Sequence, residues 1–167
     1  MRLPHPIRIG GSTVDRSSRI ELTNMCLIYD DERVLVQEKR GLKEQYRGGL
    51  VFPGGHIEPD ESLLASVIRE VKEETGLTVR DLQPCGFKDW IKEDGTRYIV
   101  LLYKTNKFEG ELKSSEEGRV FWLDRREIDS ADLIWNMREL LQIFETDRFS
   151  EFFFKIQNGT YEGKLLG

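Results

Sequence analysis

One segment constrains the fold of this chain more than any other: it begins at Gly54 and reads GGHIEPDESLLASVIREVKEETGL. Ser62 is a residue type that caps helix N-termini, and Gly76 is a type that follows a last helical turn, so a helix is predicted between them. Apolar residues recur at the three- and four-residue spacing of an amphipathic helix, at Leu64, Val67, Ile68 and Val71. We therefore expect this stripe to face the core of a folded domain.

The same helix carries three glutamates, Glu70, Glu73 and Glu74, away from the apolar stripe. Their spacing makes them neighbours, because a helix turns about 100° per residue. Like charges at that spacing cost roughly 0.2–0.5 kcal/mol per pair, which a helix tolerates without any function. Geometry alone therefore leaves two alternatives, a solvated acidic face and a site for a divalent cation.

The segment resembles the signature of the Nudix hydrolases. That signature reads Gly, five residues, Glu, seven residues, Arg-Glu, an aliphatic residue, any residue, Glu-Glu, any residue, Gly and an aliphatic residue. The chain matches every specified position, with Gly55, Glu61, Arg69, Glu70, Val71, Glu73, Glu74, Gly76 and Leu77. A motif of this length is specific, so the resemblance favours the cation site over the solvated acidic face.

The resemblance implies hydrolysis of a nucleoside diphosphate linked to a further group. An acidic pocket would repel a diphosphate unless metal reversed the local charge, and Mg²⁺, or Mn²⁺ in its place, prefers carboxylate and carbonyl oxygens. By resemblance the metal ligands are Glu70, Glu73 and Glu74, together with a backbone carbonyl of Gly54 or Gly55. Bound metal would stabilise charge on the phosphate and activate a water molecule.

The resemblance also assigns catalytic residues. Glu70 and Glu73 are expected to take part directly, and Arg69 is expected to hold them through charge-assisted hydrogen bonds. Glu117, in the loop SSEEGRVFW, matches a Glu-Gly pair with which MutT-type relatives contact metal or activate water. The alternative for Glu117 is an ordinary acidic surface loop. Glu61 is expected to be structural.

Three residues outside the signature are predicted to bind the substrate. Arg40 ends a predicted strand, where MutT-like proteins place a basic residue on the substrate phosphates. By resemblance, proteins that act on 8-oxo-dGTP read the purine edge with an amide or acid at the start of the last helix. Asn136 stands there, and its amide offers the donors and the acceptor that a guanine-type edge requires. The same resemblance implies an aromatic side chain beside the base, and Phe52 is the candidate for it. The alternatives are a solvated strand end for Arg40, and a local helix cap or a solvent-facing residue for Asn136.

The resemblance implies a metal-dependent nucleoside-triphosphate pyrophosphohydrolase of the MutT type, a class associated with DNA repair. Its substrate would be an oxidised purine nucleotide such as 8-oxo-dGTP, converted to the monophosphate and pyrophosphate. Two alternatives stay open. One is a Nudix hydrolase of another nucleoside diphosphate derivative, such as a sugar nucleotide or ADP-ribose, and the other is a Nudix sensor that binds a nucleotide without turnover.

Strand and helix patterns predict an α+β fold, in which a mixed sheet lies between helices as an α/β/α sandwich. Residues 20–30 and 33–39 are β-rich and joined by a polar turn, which predicts a hairpin. Asp94-Gly95 predicts a turn between two further strands. A second helix is indicated by an apolar stripe at Leu133, Met137, Leu140, Leu141 and Phe144.

The predicted organisation is one Nudix hydrolase domain with short additions. Residues 1–20 are expected to form an N-terminal extension or edge strand, residues 21–149 the domain, and residues 150–167 a C-terminal hairpin. The dipeptide Asn158-Gly159 predicts the turn of that hairpin. A length of 167 residues suits a single domain with its own core.

The composition of the chain limits the classes of binding partner and the cellular compartment that the sequence predicts. A net charge of −5 argues against a nucleic-acid duplex as partner, because duplex affinity comes largely from Lys and Arg. Cys26 and Cys85 match neither a metal-ligand spacing nor a disulfide framework, which favours a reducing cytoplasm. No stretch predicts a signal peptide or a membrane span. We expect a monomer or a homodimer that binds a small nucleotide.

Overall fold

The structure is a computed structural model that describes residues 17–39, 48–157 and 160–167. The strands in these ranges are β1 Ile20–Ile28, β2 Arg33–Lys39, β3 Gly49–Val51, β4 Thr78–Arg80, β5 Gln83–Ile91, β6 Arg97–Thr105, β7 Lys107–Glu109, β8 Gly118–Asp124, β9 Glu151–Gln157 and β10 Thr160–Leu166. The helices are α1 Leu63–Thr75 and α2 Met137–Glu145, with a 3₁₀ turn at Arg125–Glu127. Among the described residues, no helix has the length and apolarity of a transmembrane span.

A mixed sheet with the strand order β1-β6-β5-β9-β10 forms the centre of the fold. In it β1 runs parallel to β6 and β5 runs parallel to β9, whereas β5 and β6 are antiparallel. Smaller sheets, β3-β2-β8 and β4-β7, lie beside it. One apolar cluster includes residues of α2 and another includes residues of α1. The predicted α+β sandwich is confirmed.

The prediction that β1 and β2 pair as a hairpin is wrong, except for the turn that connects them. The two strands belong to different sheets, and only a bridge between Tyr29 and Val34 joins them. The reason lies on the free edge of β1, which binds the glycine loop that follows β3. There the Cys26 N–H donates to the Pro53 carbonyl at 2.8 Å, and the Asn24 N–H donates to the Gly55 carbonyl at 2.8 Å. This pairing fixes the glycine loop against the central sheet.

Helix α1 begins and ends where the sequence predicts. The Ser62 hydroxyl accepts a hydrogen bond from the Ala65 N–H at 3.1 Å, and Gly76 adopts a left-handed conformation with φ of 76°. The predicted apolar stripe is only half correct. Val67 and Val71 are fully buried, whereas Leu64 and Ile68 are 49% and 37% exposed.

The helix is instead rotated so that Glu74 points inward. Its side chain is 1% exposed, and Ser66 on the same helix is also buried. The Asn24 amide donates to the Ser66 hydroxyl at 2.9 Å, which joins α1 to β1 through a buried polar contact. Polar partners on β1 and elsewhere therefore decide which face of α1 is buried.

Helix α2 packs against the other side of the central sheet. Its predicted stripe is confirmed from Met137 onward, since Met137, Leu140, Leu141 and Phe144 are buried. The predicted helical position of Leu133 is wrong, because α2 begins at Met137 and Leu133 packs against the same cluster from the preceding loop. The pair β5 and β6 about Asp94-Gly95 is also confirmed. The strands of the final hairpin pair as predicted, although Asn158-Gly159 lies outside the described residues. Because β9 also pairs with β5, this hairpin extends the central sheet.

Candidate active site

A cavity of about 960 Å³ opens on one side of the central sheet. Its lining residues include two groups. The first belongs to a carboxylate cluster, which we define as Glu70, Glu73, Glu74 and Glu117; Glu70 and Glu117 line the cavity directly. The second is an aromatic wall, which we define as Trp90, Tyr98, Phe152 and Phe154. One cavity therefore joins a charged region to an aromatic one.

The glycine loop brings backbone close to the carboxylate cluster. The Gly54 N–H donates to Glu74 Oε2 at 2.8 Å. A Cβ added at Gly54 would overlap the Asn24 carbonyl, and one added at Gly55 would overlap the Glu70 carboxylate. Gly54 therefore requires glycine because it approaches backbone closely, whereas a side chain at Gly55 would displace the Glu70 carboxylate. The predicted metal-site residues Gly54, Gly55, Glu70 and Glu74 are brought together.

Glu74 and Glu117 share one cation, Lys39. The Lys39 Nζ donates to Glu74 Oε1 at 2.8 Å and to Glu117 Oε2 at 2.8 Å. Burial raises the pKa of Glu74 although Lys39 opposes this, whereas the hydrogen bond from Lys39 lowers the pKa of Glu117. Burial by itself would lower the pKa of Lys39, but the two carboxylates raise it. Lys39 therefore stays charged between them.

Arg69 holds the remaining carboxylates. Its guanidinium donates to both Glu61 oxygens at 2.5 and 3.0 Å, to Glu70 Oε1 at 2.9 Å and to Glu73 Oε2 at 3.2 Å. It also donates to the His56 carbonyl at 3.0 Å, next to the glycine loop. Burial raises the pKa of Glu70 despite Arg69. This arrangement matches the positioning role that the sequence predicts for Arg69, and Glu61 contributes to it as a structural partner.

The predicted substrate-binding residues lie in different settings. Phe52 lines the cavity, but its ring is 2% exposed and packs edge-on against Phe144 with centroids 5.7 Å apart. Asn136 also lines the cavity, in a left-handed conformation, and its side chain caps none of the described helix N–H groups. The local-cap alternative for Asn136 is therefore wrong, whereas its solvent-facing alternative agrees with the exposed position of the residue. Arg40 lies outside the described residues.

Sequence reasoning missed Trp90 and Tyr98 of the aromatic wall and a lysine next to them. Trp90 stacks between Tyr98 and Phe154, with centroids 4.2 and 4.8 Å apart and interplanar angles of 19° and 24°. Lys88 lines the same part of the cavity. The period-two alternation of a strand places Lys88 and Trp90 on one face of β5, and that signal was available in the sequence. The sequence does not show which face meets a cavity.

Comparison with known proteins decides the family. A family model described as "NUDIX domain" matches residues 21–144. The chain belongs to the Nudix family. A relative from Bacillus subtilis, described as the uncharacterized Nudix hydrolase YvcI, is 34% identical over 117 residues, covering 67% of this chain and 70% of the relative. The predicted membership is confirmed, and this chain is a Nudix hydrolase.

Two further similarities concern Nudix proteins with more specific names. The 8-oxo-dGDP phosphatase NUDT18 of Danio rerio is 31% identical over 101 residues, which cover 58% of this chain and 29% of that protein. The crystal structure of a MutT protein from Bacillus halodurans superposes with a TM-score of 0.71 at 27% identity, covering 86% of this chain and 97% of that one. The solved MutT structure thus shares most of this fold.

Nudix hydrolases generally use divalent metal ions, so the carboxylate cluster must be tested against one. Its oxygen donors suit a hard cation. Among the described residues, however, no three acidic, histidine or cysteine side chains stand together as a ready-made metal site. Lys39 binds Glu74 and Glu117, while Arg69 binds Glu70 and Glu73. The donor chemistry fits a metal, and the Lys39 ammonium lies between two of the carboxylates.

Gly55→Ala is expected to reduce turnover by about 10²-fold while the fold persists, because the new methyl group displaces the Glu70 carboxylate. Gly95→Ala is the matched control, since Gly95 has φ of 81° and open space around it. It should lower the melting temperature without changing turnover per folded molecule. Steady-state kinetics and thermal melting of both variants check this, and normal turnover in Gly55→Ala would contradict the close approach.

Proposed function

We propose that this Nudix hydrolase is a metal-dependent nucleoside-triphosphate pyrophosphohydrolase of the MutT type. Its substrate is an oxidised purine nucleotide such as 8-oxo-dGTP, and its products are the nucleoside monophosphate and pyrophosphate. One observation carries the proposal: residues of the carboxylate cluster and the stacked aromatic wall line the same cavity. The phosphates need charged groups that hold a metal, whereas the base needs an apolar surface for stacking. The cavity offers the first at the carboxylate cluster and the second at the aromatic wall.

The carboxylate cluster supplies the reaction site. Glu70, Glu73 and Glu74 hold the metal in this proposal, with a backbone carbonyl of Gly54 or Gly55, in the donor set that Mg²⁺ or Mn²⁺ prefers. When bound, the metal neutralises charge on the phosphates and makes a coordinated water a stronger nucleophile. Metal binding competes with the existing cation contacts of the carboxylates.

The other charged groups orient the reacting parts. Arg69 fixes Glu70 and Glu73 relative to the glycine loop, which keeps their oxygens in place as substrate enters. Glu117 has a side chain that is 61% exposed at the rim of the cluster, where it can accept a proton from water. Lys39, once displaced from Glu117, is a donor for a substrate phosphate. The proposed catalytic residues are thus Glu70, Glu73 and Glu117, positioned by Arg69.

The base is bound by the other half of the cavity in this proposal. Asn136 offers an amide to the base edge, and the aromatic wall and Phe52 supply the apolar surface. The name of the 8-oxo-dGDP phosphatase NUDT18 of Danio rerio supports a purine nucleotide as the substrate class, and the similarity to the Bacillus halodurans MutT protein supports the MutT type. The proposed location is a reducing cytoplasm, consistent with Cys26 and Cys85 as free thiols.

A substrate panel tests the proposal. The purified chain is incubated with Mg²⁺ and 8-oxo-dGTP, dGTP, dATP, ADP-ribose or UDP-glucose, and the products are separated by anion exchange. The expected result is highest kcat/KM for 8-oxo-dGTP, with release of pyrophosphate rather than inorganic phosphate. Faster hydrolysis of ADP-ribose or UDP-glucose would assign another Nudix substrate class, and binding without turnover would identify a sensor.

Asn136→Ala is expected to raise KM for 8-oxo-dGTP by about 5- to 150-fold, because the polar edge of the base loses its partner in a partly dry pocket. kcat should change much less, since the carboxylate cluster is untouched. Gln142→Ala removes an exposed amide from the same helix and is the matched control. Unchanged KM in Asn136→Ala would remove this residue from the substrate site.

A further inference from the structure

Lys88 is a buried cation in the cavity wall that the proposed reaction does not use. It lies on β5, is 6% exposed and lines the cavity beside the aromatic wall. Lysine is rarely buried to this extent unless it is paired. Among the described residues, Trp135 supplies the one hydrogen-bond acceptor of Lys88 Nζ, a backbone carbonyl at 2.8 Å, and no carboxylate there forms an ion pair with it.

The surroundings of Lys88 stabilise its charge only in part. Nζ lies 5.4 Å from the ring centroid of Trp90 and 5.4 Å from that of Phe154, a range at which cation–π attraction acts. Glu139, which also lines the cavity, attracts the ammonium through a longer distance. Burial nevertheless lowers the pKa of Lys88 to about 8. The fold therefore keeps a cation at a place where burial disfavours it.

The partner of Lys88 is presented by an unusual backbone. Trp135 and Asn136 have φ of 56° and 66°, in a region that non-glycine residues seldom adopt. Through this turn the Trp135 carbonyl accepts a hydrogen bond from Lys88, and Asn136 lines the cavity. Strained conformations of this kind are concentrated at binding sites, where the surrounding structure holds them.

An ammonium has three donors, and the Trp135 carbonyl uses one. We propose that Lys88 donates a hydrogen bond to a carbonyl oxygen of the substrate's base, so that the enzyme selects 6-oxopurine over 6-aminopurine nucleotides. This inference rests on the proposed nucleotide pyrophosphohydrolase. A 6-oxopurine presents an acceptor to Lys88 and donors to Glu139 or Asn136, whereas a 6-aminopurine presents an amino donor where Lys88 also donates.

The test compares dGTP, dITP and dATP as substrates of wild type and Lys88→Met. The base of dITP has the 6-oxo group without the 2-amino group, so it isolates the carbonyl contact. We expect wild type to prefer dGTP and dITP, and Lys88→Met to lose about 10- to 100-fold in kcat/KM for these two while dATP is unchanged or improved. Lys88→Gln, which keeps a donor, should retain part of the preference.

Lys104→Met is the matched control. Lys104 Nζ also donates to a backbone carbonyl, that of Phe144 in α2, at 2.6 Å, but the residue does not line the cavity. The Lys104→Met variant should show the same preference among dGTP, dITP and dATP as wild type. An unchanged preference in Lys88→Met, with unchanged kcat/KM, would overturn the inference and leave Lys88 as a structural residue.

Binding separates this inference from the proposed function. Binding of dGMP and dAMP is followed by tryptophan fluorescence, because Trp90 and Trp135 line the cavity. Tighter binding of dGMP that is lost in Lys88→Met supports the inference even if no triphosphate is hydrolysed, in which case only the proposed reaction fails. Triphosphate hydrolysis without any effect of Lys88→Met on either assay supports the reaction and overturns the inference.

Discussion

Glu74→Gln is expected to lower turnover by about 10²- to 10³-fold with little change in substrate binding, because it removes one charge that a bound metal requires. Glu74 is the most deeply placed of the cluster, 1% exposed, with one oxygen on Lys39 and the other on the Gly54 N–H. Glutamine keeps the size of the side chain but not its charge. The substitution therefore tests the electrostatic role rather than the packing.

The fold of this variant is expected to persist. Burial raises the pKa of Glu74, so the folded state disfavours the charged carboxylate. A neutral glutamine avoids this cost of burying a charge, which offsets the weaker contact with Lys39. Lys39 also keeps Glu117 as a partner. Glu116→Gln, at an exposed position beside Glu117, removes the same charge and is the matched control. Wild-type kcat in Glu74→Gln, with an unchanged melting temperature, would contradict the metal role of this residue.

Arg69→Lys is expected to reduce kcat by about 10²-fold, because lysine cannot reproduce the planar set of donors that joins three glutamates. The guanidinium contacts Glu61, Glu70 and Glu73 at once, and a lysine ammonium is a single point charge. Glu70 would then lose its fixed position next to Gly55. The melting temperature should also fall, since the loop that carries Glu61 is tied to α1 by this contact.

Arg126→Lys is the control for Arg69→Lys. Arg126 makes an equivalent two-oxygen contact with Asp124, but its side chain is 89% exposed and away from the cavity. Turnover and melting temperature of this variant should stay near wild type, as for most exposed ion pairs. Equal kinetics of Arg69→Lys and wild type would show that the glutamates do not depend on Arg69 for their positions.

Local chemistry explains what the sequence could predict. The caps of α1 depend on Ser62 and Gly76 themselves, and the turn at Asp94-Gly95 depends on its own two residues, so each was predictable from neighbours in the chain. The buried orientation of Glu74 was not, because its partner Lys39 is 35 residues away. The periodicity of apolar residues predicts which face of a helix is apolar. It does not predict a buried salt bridge, such as that between Glu74 and Lys39, which turns a different face of α1 towards the core.

The order of strands in the sheets explains the features that the sequence did not predict. The predicted hairpin between β1 and β2 failed because β1 pairs with the glycine loop instead, a contact between segments that no adjacent pattern indicates. Trp90 and Tyr98 of the aromatic wall were missed for the same reason, since Trp90 on β5 meets Phe154 on β9 only through the parallel pairing of those strands. The glutamates of the Nudix signature were found because they lie on one helix, while the opposite half of the cavity is assembled from distant strands.

Hydrolysis of 8-oxo-dGTP with and without a chelator tests the central claim most directly. The products formed by the purified chain in Mg²⁺, and in Mg²⁺ with excess EDTA, are separated by anion exchange and quantified. The account predicts 8-oxo-dGMP and pyrophosphate in equal amounts with Mg²⁺, and loss of both with EDTA. Turnover that survives EDTA, or release of inorganic phosphate in place of pyrophosphate, would contradict it.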